Sequence, residues 1–261
     1  MKLLVKLGGT LLDADATCES LARQIAAIAR SVQTVVVHGG GRQLTRYLAE
    51  RGVESRFVNG LRVTTPEILD AVIKVVAGSV NRQLVAALNV AGARAVGISG
   101  IDGGLVVADP MDPALGSVGR VVHADPALLH ALLAAGFLPV VACVAADRQG
   151  RCFNVNADQL AVACAVAFGA DQLTFLTDVE GVLDAQKRLL PHLTLADSEA
   201  LIAAGAATGG MQAKLRAAHA ALRQGVSQVR IAAGAADRIL ERILAGDDVG
   251  TQLLAAEVCA T

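Results

Sequence analysis

Two lysines stand beside glycine pairs in this chain, and that pairing is the chemistry most directly read from it. Lys6 interrupts the apolar run Leu3-Leu4-Val5-Lys6-Leu7 just before Gly8-Gly9, and Lys214 follows Gly209-Gly210 on a helical stretch. A third cluster, Gly39-Gly40-Gly41, ends the apolar segment Thr34–His38. Glycine after a strand and before a helix lets backbone N–H groups approach an anion, and the helix N-terminus adds partial positive charge. A lysine inside an apolar strand is costly unless it is paired or sits at the end of the sheet. Taken one at a time these features have plain readings. Lys214 would be a solvated helix residue, Asp158 a helix N-cap and Asp178 a turn residue. Taken together they outline an anion site with a lysine on each side.

Known glycine motifs do not account for them. The dinucleotide fingerprint would require glycine at Leu44, and the Walker loop requires a Gly-Lys pair, which the chain lacks. There is no H-E-x-x-H and no G-x-S-x-G, so a dehydrogenase, a Walker-type ATPase, a zinc peptidase and an α/β-hydrolase all lose support.

The elements that must position these residues follow from hydrophobic period. Short aliphatic strands read at Leu3–Leu7, Thr34–His38, Ala95–Ser99, Phe137–Val144, Gln172–Leu176, Gln228–Ala232 and Thr251–Leu254. Helices read at Cys18–Arg30, Gln43–Arg51, Ala127–Ala135, Asp158–Phe168, Asp197–Ala204, Gly210–Gln224 and Asp237–Ala245. Continuous apolar strands alternating with helices predict an α/β fold: a three-layer αβα sandwich around a mainly parallel open sheet. In such sheets, ligands sit at the carboxyl ends of the strands. Gly103–His123, with two Asp-Pro pairs, predicts hairpins and loops. The strand–helix rhythm restarts near Gly169 and suggests a boundary there. Thr64–Ala91 predicts a long helix, with Thr64 and Glu67 at capping-box spacing and Pro66 in the first turn. Its apolar face is wider than one core stripe, which fits burial either within its own subunit or against a partner.

Composition removes whole classes of function. The chain has 261 residues, with 23 Lys+Arg against 24 Asp+Glu, so it lacks the basic excess that phosphate neutralisation requires of a nucleic-acid binder. With no Trp, one Tyr and five Phe, bases would find few rings to stack on. An apolar content of 54% supplies a core and argues against disorder. Ala127–Ala146 carries no Asp, Glu, Lys or Arg, but Gly136 and Pro139 divide it into a buried helix and a buried strand rather than a membrane span. Five scattered cysteines without a C-x-x-C pair, and no signal peptide, predict a reduced cytoplasmic protein with no metal framework.

Six segments then carry a resemblance: Val5-Lys6-Leu7-Gly8-Gly9, His38-Gly39-Gly40-Gly41, Asn59-Gly60-Leu61-Arg62-Val63-Thr64, Phe153-Asn154-Val155-Asn156-Ala157-Asp158, Thr177-Asp178-Val179-Glu180-Gly181-Val182 and Gly209-Gly210-Met211-Gln212-Ala213-Lys214. In this order they resemble the N-acetylglutamate kinases over essentially the whole chain. The glycine blocks resemble the wider amino acid kinase family.

The resemblance implies phosphorylation of the side-chain carboxylate of N-acetyl-L-glutamate by MgATP, a step of arginine biosynthesis. Mg2+ would be held mainly by the nucleotide phosphates. It further implies a substrate-binding and dimerising lobe over residues 1–170 and an ATP-binding lobe over 171–261. Catalytic roles fall on Lys6, Lys214 and Asp158, the carboxylate holding both ammonium groups. Substrate-binding roles fall on Gly40, Gly41, Arg62 and Asn154, with Arg62 as a bidentate fork. Nucleotide-binding roles fall on Gly8, Gly9, Asp178, Val179, Glu180, Gly181, Val182, Leu183, Ala206, Ala207, Thr208, Gly209, Gly210 and Met211. Ile101 departs from the family, where many relatives carry lysine.

Kinases of aminoadipate or N-succinylglutamate, and a non-catalytic amino-acid sensor, are the alternatives on the same fold. A sensor should lack the two lysines. Arginine-inhibited relatives carry an extra helix before the first strand that joins dimers into a hexamer. With the first strand at Leu3, the resemblance implies a homodimer that free arginine does not inhibit, without nucleic-acid or membrane partners.

Overall fold

A computed structural model describes residues 1–254. In chain order the elements begin β1 (Lys2–Leu7), α1 (Asp15–Ile28), β2 (Gln33–His38), α2 (Gly41–Ala49), β3 (Phe57–Val58), β4 (Leu61–Arg62), α3 (Pro66–Val72), α4 (Asn81–Val90) and β5 (Ala95–Ser99). Then follow β6 (Val106–Pro110), β7 (Val118–Ala124), α5 (Ala127–Ala134), β8 (Leu138–Ala142), β9 (Val144–Ala146), β10 (Cys152–Val155) and α6 (Ala157–Phe168). The chain continues through β11 (Gln172–Thr177), β12 (His192–Leu193), α7 (Leu195–Ala203), α8 (Gly209–Arg223), β13 (Gln228–Ala233), α9 (Ile239–Ala245) and β14 (Thr251–Leu253).

One eight-stranded sheet, ordered β12-β14-β13-β11-β1-β2-β8-β5, runs through the molecule. All its neighbouring strands pair in parallel except β13 with β14. This is the mainly parallel α/β sandwich predicted from the buried strands. β1 lies at its centre, and the two-residue period of a strand sorts its side chains. Leu3, Val5 and Leu7 join the core that holds Leu21, Ile25 and Leu84 on one face. Leu4 joins Leu160, Ala161 and Leu215 on the other. Lys6 shares the parity of Leu4, so it faces α6 and α8 near the carboxyl end of its strand.

The segment Gly103–His123 forms the expected hairpin. β6 and β7 pair antiparallel, and with β9 and β10 they close a four-stranded barrel. The single strand expected over Phe137–Val144 is broken at Cys143, where β8 leaves the large sheet and β9 enters the barrel. The Cys143 carbonyl there accepts from Val155 N. The long helix runs continuously from Pro66 to Val90, but its middle, Ile73–Val80, is wound as a π-helix. Its N-cap is Thr65, whose hydroxyl accepts from Ile68 N at 3.3 Å. Thr64 is therefore not the cap; it sits one residue earlier with its hydroxyl turned inward to the Arg62 carbonyl. Among the described residues this helix alone is long and apolar enough to cross a membrane by composition. Val72, Val76 and Val80 bury one side of it in the protein core.

Candidate active site

The parallel strands β1 and β2 end side by side in glycine turns. A Cβ on Gly9 would lie 3.0 Å from Gly41 N and 3.3 Å from Gly40 N, so a side chain there would press directly on these N–H groups. The Gly8 N–H donates to Leu176 O, and Gly39 N–H to Leu7 O. Among the described residues, the N–H groups of Gly9, Gly40 and Gly41 donate to no backbone acceptor. One of these donors lies in the turn after β1 and two at the start of α2, an arrangement that can serve as an anion cradle. Gln43, in the first turn of α2, ties the turns together by donating to Gly9 O at 3.3 Å.

Beside the cradle, Lys6 Nζ lies 2.6 Å from Asp158 Oδ1, and Lys214 Nζ lies 3.5 Å from Asp158 Oδ2. Residues far apart in sequence thus meet on one buried carboxylate. Burial alone would push the Asp158 carboxyl up, but Lys6 and Lys214 together hold it below the usual carboxylate range. Burial lowers the Lys214 pKa against the opposing pull of Asp158. Two ammonium groups against one carboxylate leave a net positive charge in a site largely removed from water. Such a charge is costly unless an anion accompanies it.

Asp158 is free for this task because it is not the cap of α6. That role belongs to Asn156, whose Oδ1 accepts from Asp158 N and Gln159 N at 2.9 and 3.2 Å. Asp158 lies in the first turn, where a carboxylate is also favoured by the helix dipole. α6 and α8 both precede strands that join the parallel sheet, so their N-termini lie at the carboxyl edge of that sheet. Thr208, before α8, makes no side-chain cap, which leaves another uncapped helix start facing this edge.

A cavity of about 170 Å³ opens next to the glycine turns, lined among others by Gly40, Gly41, Phe57, Arg62, Cys143 and Asn154. Larger hollows, of about 390 and 530 Å³, lie at the amino ends of the strands and behind α6, and none of these residues lines them. Arg62 stands on the β3–β4 hairpin, which turns through Asn59 and Gly60, both at positive φ. Its guanidinium lies 4.6 Å from the Phe57 ring. Nη1 donates to Ser55 Oγ, and Nη2 donates to Gly41 O at 3.2 Å and Thr45 Oγ1 at 2.7 Å. Nε–H and one Nη1 hydrogen remain for a ligand, while the other three donors of the guanidinium are engaged by protein oxygens. Asn154 Nδ2 donates to Thr64 Oγ1 at 3.0 Å, which in turn donates to Arg62 O at 2.8 Å. This links β10 to the hairpin and leaves Asn154 Oδ1 for another donor.

The C-terminal segments are more varied. Asp178, Val179, Glu180, Ala206, Thr208, Gly209 and Gly210 are exposed, while Leu183 and Met211 are half-buried. Val182 and Ala207 pack in the core, so their side chains cannot face a ligand. Gly181 is a packing glycine: a Cβ there would lie 2.7 Å from Leu189 Cδ1 and Thr251 Oγ1.

Residues not singled out from sequence also shape the site: Ser55 and Thr45 hold Arg62, and Phe57 covers it. The Asn-Gly turn dipeptide between Phe57-Val58 and Leu61-Arg62 is the sequence signal for that hairpin.

Comparison with known proteins follows the same lines. Residues 1–233 match the model of the amino acid kinase family. The chain belongs to the amino acid kinase family. Within it, an acetylglutamate kinase of Solibacter usitatus (strain Ellin6076) is 64% identical over 98% of this chain and 100% of its own length. An acetylglutamate kinase of Geobacillus kaustophilus (strain HTA426) is 44% identical over 88% of this chain and 89% of its own. Among solved structures, an N-acetylglutamate synthase from Neisseria gonorrhoeae, complexed with coenzyme A and N-acetyl-glutamate, superposes with a TM-score of 0.87 at 27% identity. That match covers 98% of this chain but 60% of the synthase. As a member of this family, the chain is an ATP-dependent kinase.

Proposed function

We propose that this amino acid kinase is an acetylglutamate kinase: it transfers the γ-phosphoryl of ATP to the side-chain carboxylate of N-acetyl-L-glutamate, giving an acyl phosphate and ADP. The observation that carries the reading is the pair Lys6 and Lys214 held on one buried Asp158 beside unpaired glycine N–H groups. Attack of a carboxylate on a phosphate brings negative charges together. Catalysis is then mostly alignment and charge neutralisation, with little covalent help from the protein. A bond forms between a carboxylate oxygen and the γ-phosphorus as the bond to the β,γ-bridging oxygen breaks. The acceptor is ionised at neutral pH, so no general base is needed.

In this reading Lys6 and Lys214 stabilise the equatorial oxygens of the transferring group, and Asp158 positions both. The Gly40–Gly41 turn receives the reacting carboxylate. Arg62 and Asn154 hold the rest of the amino acid, Arg62 exchanging one of its protein acceptors for the substrate's other carboxylate. Nucleotide occupies the segments around Asp178 and the start of α8, within residues 171–261, and the amino acid binds within 1–170. When bound, Mg2+ would rest mainly on the nucleotide phosphates and would neutralise part of their charge. No three His, Cys, Asp or Glu side chains converge among the described residues. The enzyme works in the cytoplasm as a homodimer.

The test is a panel of N-acetyl-glutamate, N-acetyl-aminoadipate and N-succinyl-glutamate with MgATP, trapping acyl phosphate as the hydroxamate. N-acetyl-glutamate should give the highest kcat/KM, by about 10-fold or more over the acceptor one methylene longer. Preference for either other acceptor would reassign the substrate, and failure of all three would favour the sensor.

A further inference from the structure

We propose that His38 is a positioning residue of this site. It holds the Gly39 carbonyl through Nδ1–H and so sets the direction in which the next peptide N–H, that of Gly40, meets the acceptor carboxylate. The proposal rests on the reading of the Gly39–Gly41 turn as the seat of that carboxylate.

A chain of donors decides which nitrogen of His38 carries the proton. Arg82 can only donate, and its Nη2 lies 2.7 Å from Asn81 Oδ1. That fixes the Asn81 amide with its nitrogen pointing inward. Asn81 Nδ2 then donates to Val140 O at 3.0 Å and to His38 Nε2 at 2.9 Å. A nitrogen that accepts carries no hydrogen, so the proton of the neutral ring is on Nδ1, 2.8 Å from Gly39 O. Burial first, then the charges of Arg82 and Lys6, lower the pKa of His38 to about 4 against the opposing Gly39 bond. The ring is therefore neutral at pH 7, and the tautomer is single-valued. His38 and Asn81 are both completely buried, where a mismatched polar pair is expensive.

In a trans peptide the C=O of one residue and the N–H of the next point in opposite directions. Pinning Gly39 O toward the core therefore turns Gly40 N–H outward, toward the Gly9 turn and the cradle. Asn81 begins directly after the π-helical segment, and Gly97 on β5 makes room for it. A Cβ on Gly97 would collide with Asn81 Oδ1 and Arg82 Nη2. Three separate peculiarities of the chain, a widened helix, a strand glycine and a buried Asn–His pair, thus converge on one peptide plane of the site.

The experiment has a spectroscopic and a kinetic arm. In the wild-type protein at pH 7, long-range 1H–15N correlation should give His38 Nδ1 the shift of a protonated nitrogen and Nε2 that of an unprotonated one. The reverse assignment would overturn the proposal, and this reading needs no substrate. His38→Asn keeps an amide N–H near the place of Nδ1. It should keep kcat/KM for N-acetyl-glutamate within about 3-fold of wild type. His38→Gln carries its amide to the level of Nε2 and loses the Gly39 bond. It should lower that kcat/KM about 10- to 100-fold, the scale of a small misalignment, with the KM for ATP unchanged. If the two variants lose thermal stability alike and neither moves kcat/KM for the acceptor, His38 is only a core residue and the proposal falls. If His38→Gln does not fold, the tautomer and His38→Asn still decide. A wild-type protein that phosphorylates no acylated acidic amino acid, yet shows the expected tautomer, would refute the functional reading and leave the geometry of the turn intact.

Discussion

At the scale of single residues, the site is a set of charged groups whose surroundings decide what they can do. Arg62 keeps its guanidinium close to Ser55, Gly41 and Thr45 by a planar geometry that an ammonium group cannot reproduce. Arg62→Lys should therefore raise the Michaelis constant for N-acetyl-glutamate at least about tenfold, with little change for ATP; steady-state kinetics in both substrates checks this. His38 gives a pH signature. Its folded pKa of about 4 lies below the unfolded value of 6.5. Between those values the unfolded chain binds the extra proton, so stability rises with pH. The contribution is complete above pH 6.5 and is lost as pH falls toward 4. Its size is on the order of 3 kcal/mol. Urea unfolding of wild type and His38→Gln across this range should show a shallower pH slope in the variant; equal slopes would mean that the imidazole is not held neutral.

At the scale of elements, what matters is how closely two adjacent strand ends can approach. The Gly8-Gly9 and Gly39-Gly40-Gly41 turns meet where a methyl on Gly9 would lie 3.0 Å from Gly41 N. Gly9→Ala should leave the core intact but cover a donor of the cradle. We expect kcat to fall by about two orders of magnitude, as when an oriented N–H is lost from an oxyanion site, with the midpoint of thermal unfolding nearly unchanged.

Much of this arrangement was legible in the sequence. All strands of the sheet except the two-residue β12, the glycine turns and the hairpin region of Gly103–His123 follow from period and turn chemistry, and the motifs around Lys6, Asp158 and Lys214 pointed to residues that meet. What was not legible depends on tertiary geometry. Asp158 read as a cap because Asn156 offers the same chemistry two residues earlier, and only the backbone decides between them. Thr64 has the capping-box spacing to Glu67, while Pro66 as the first helical residue points to Thr65, and only the backbone decides between them. The break at Cys143 lies inside an unbroken apolar run, where period carries no signal. The π-helical stretch Ile73–Val80 has no signature in composition at all.

At the scale of the whole molecule, the long helix Pro66–Val90 has two faces. Val72, Val76 and Val80 bury one; Leu69, Ile73 and Ala77 leave the other partly open, with Ile73 at 40% exposure. An apolar face of this kind suits a two-fold partner, the commonest closed assembly. Light scattering should report a dimer, and Ile73→Glu should shift it toward monomer; a monomeric wild type would contradict the proposed assembly. The same long-range logic holds for the chemistry, since Lys6 comes from the first strand and Lys214 from a helix late in the chain, joined through Asp158. The most direct test of the account is rapid-quench transfer of the γ-phosphoryl from ATP to N-acetyl-glutamate in a single turnover. Wild type should transfer it, and Lys6→Ala and Lys214→Ala should each do so about 100- to 1,000-fold more slowly with nucleotide affinity much less affected. A folded variant of either lysine that transfers at the wild-type rate would contradict the central claim.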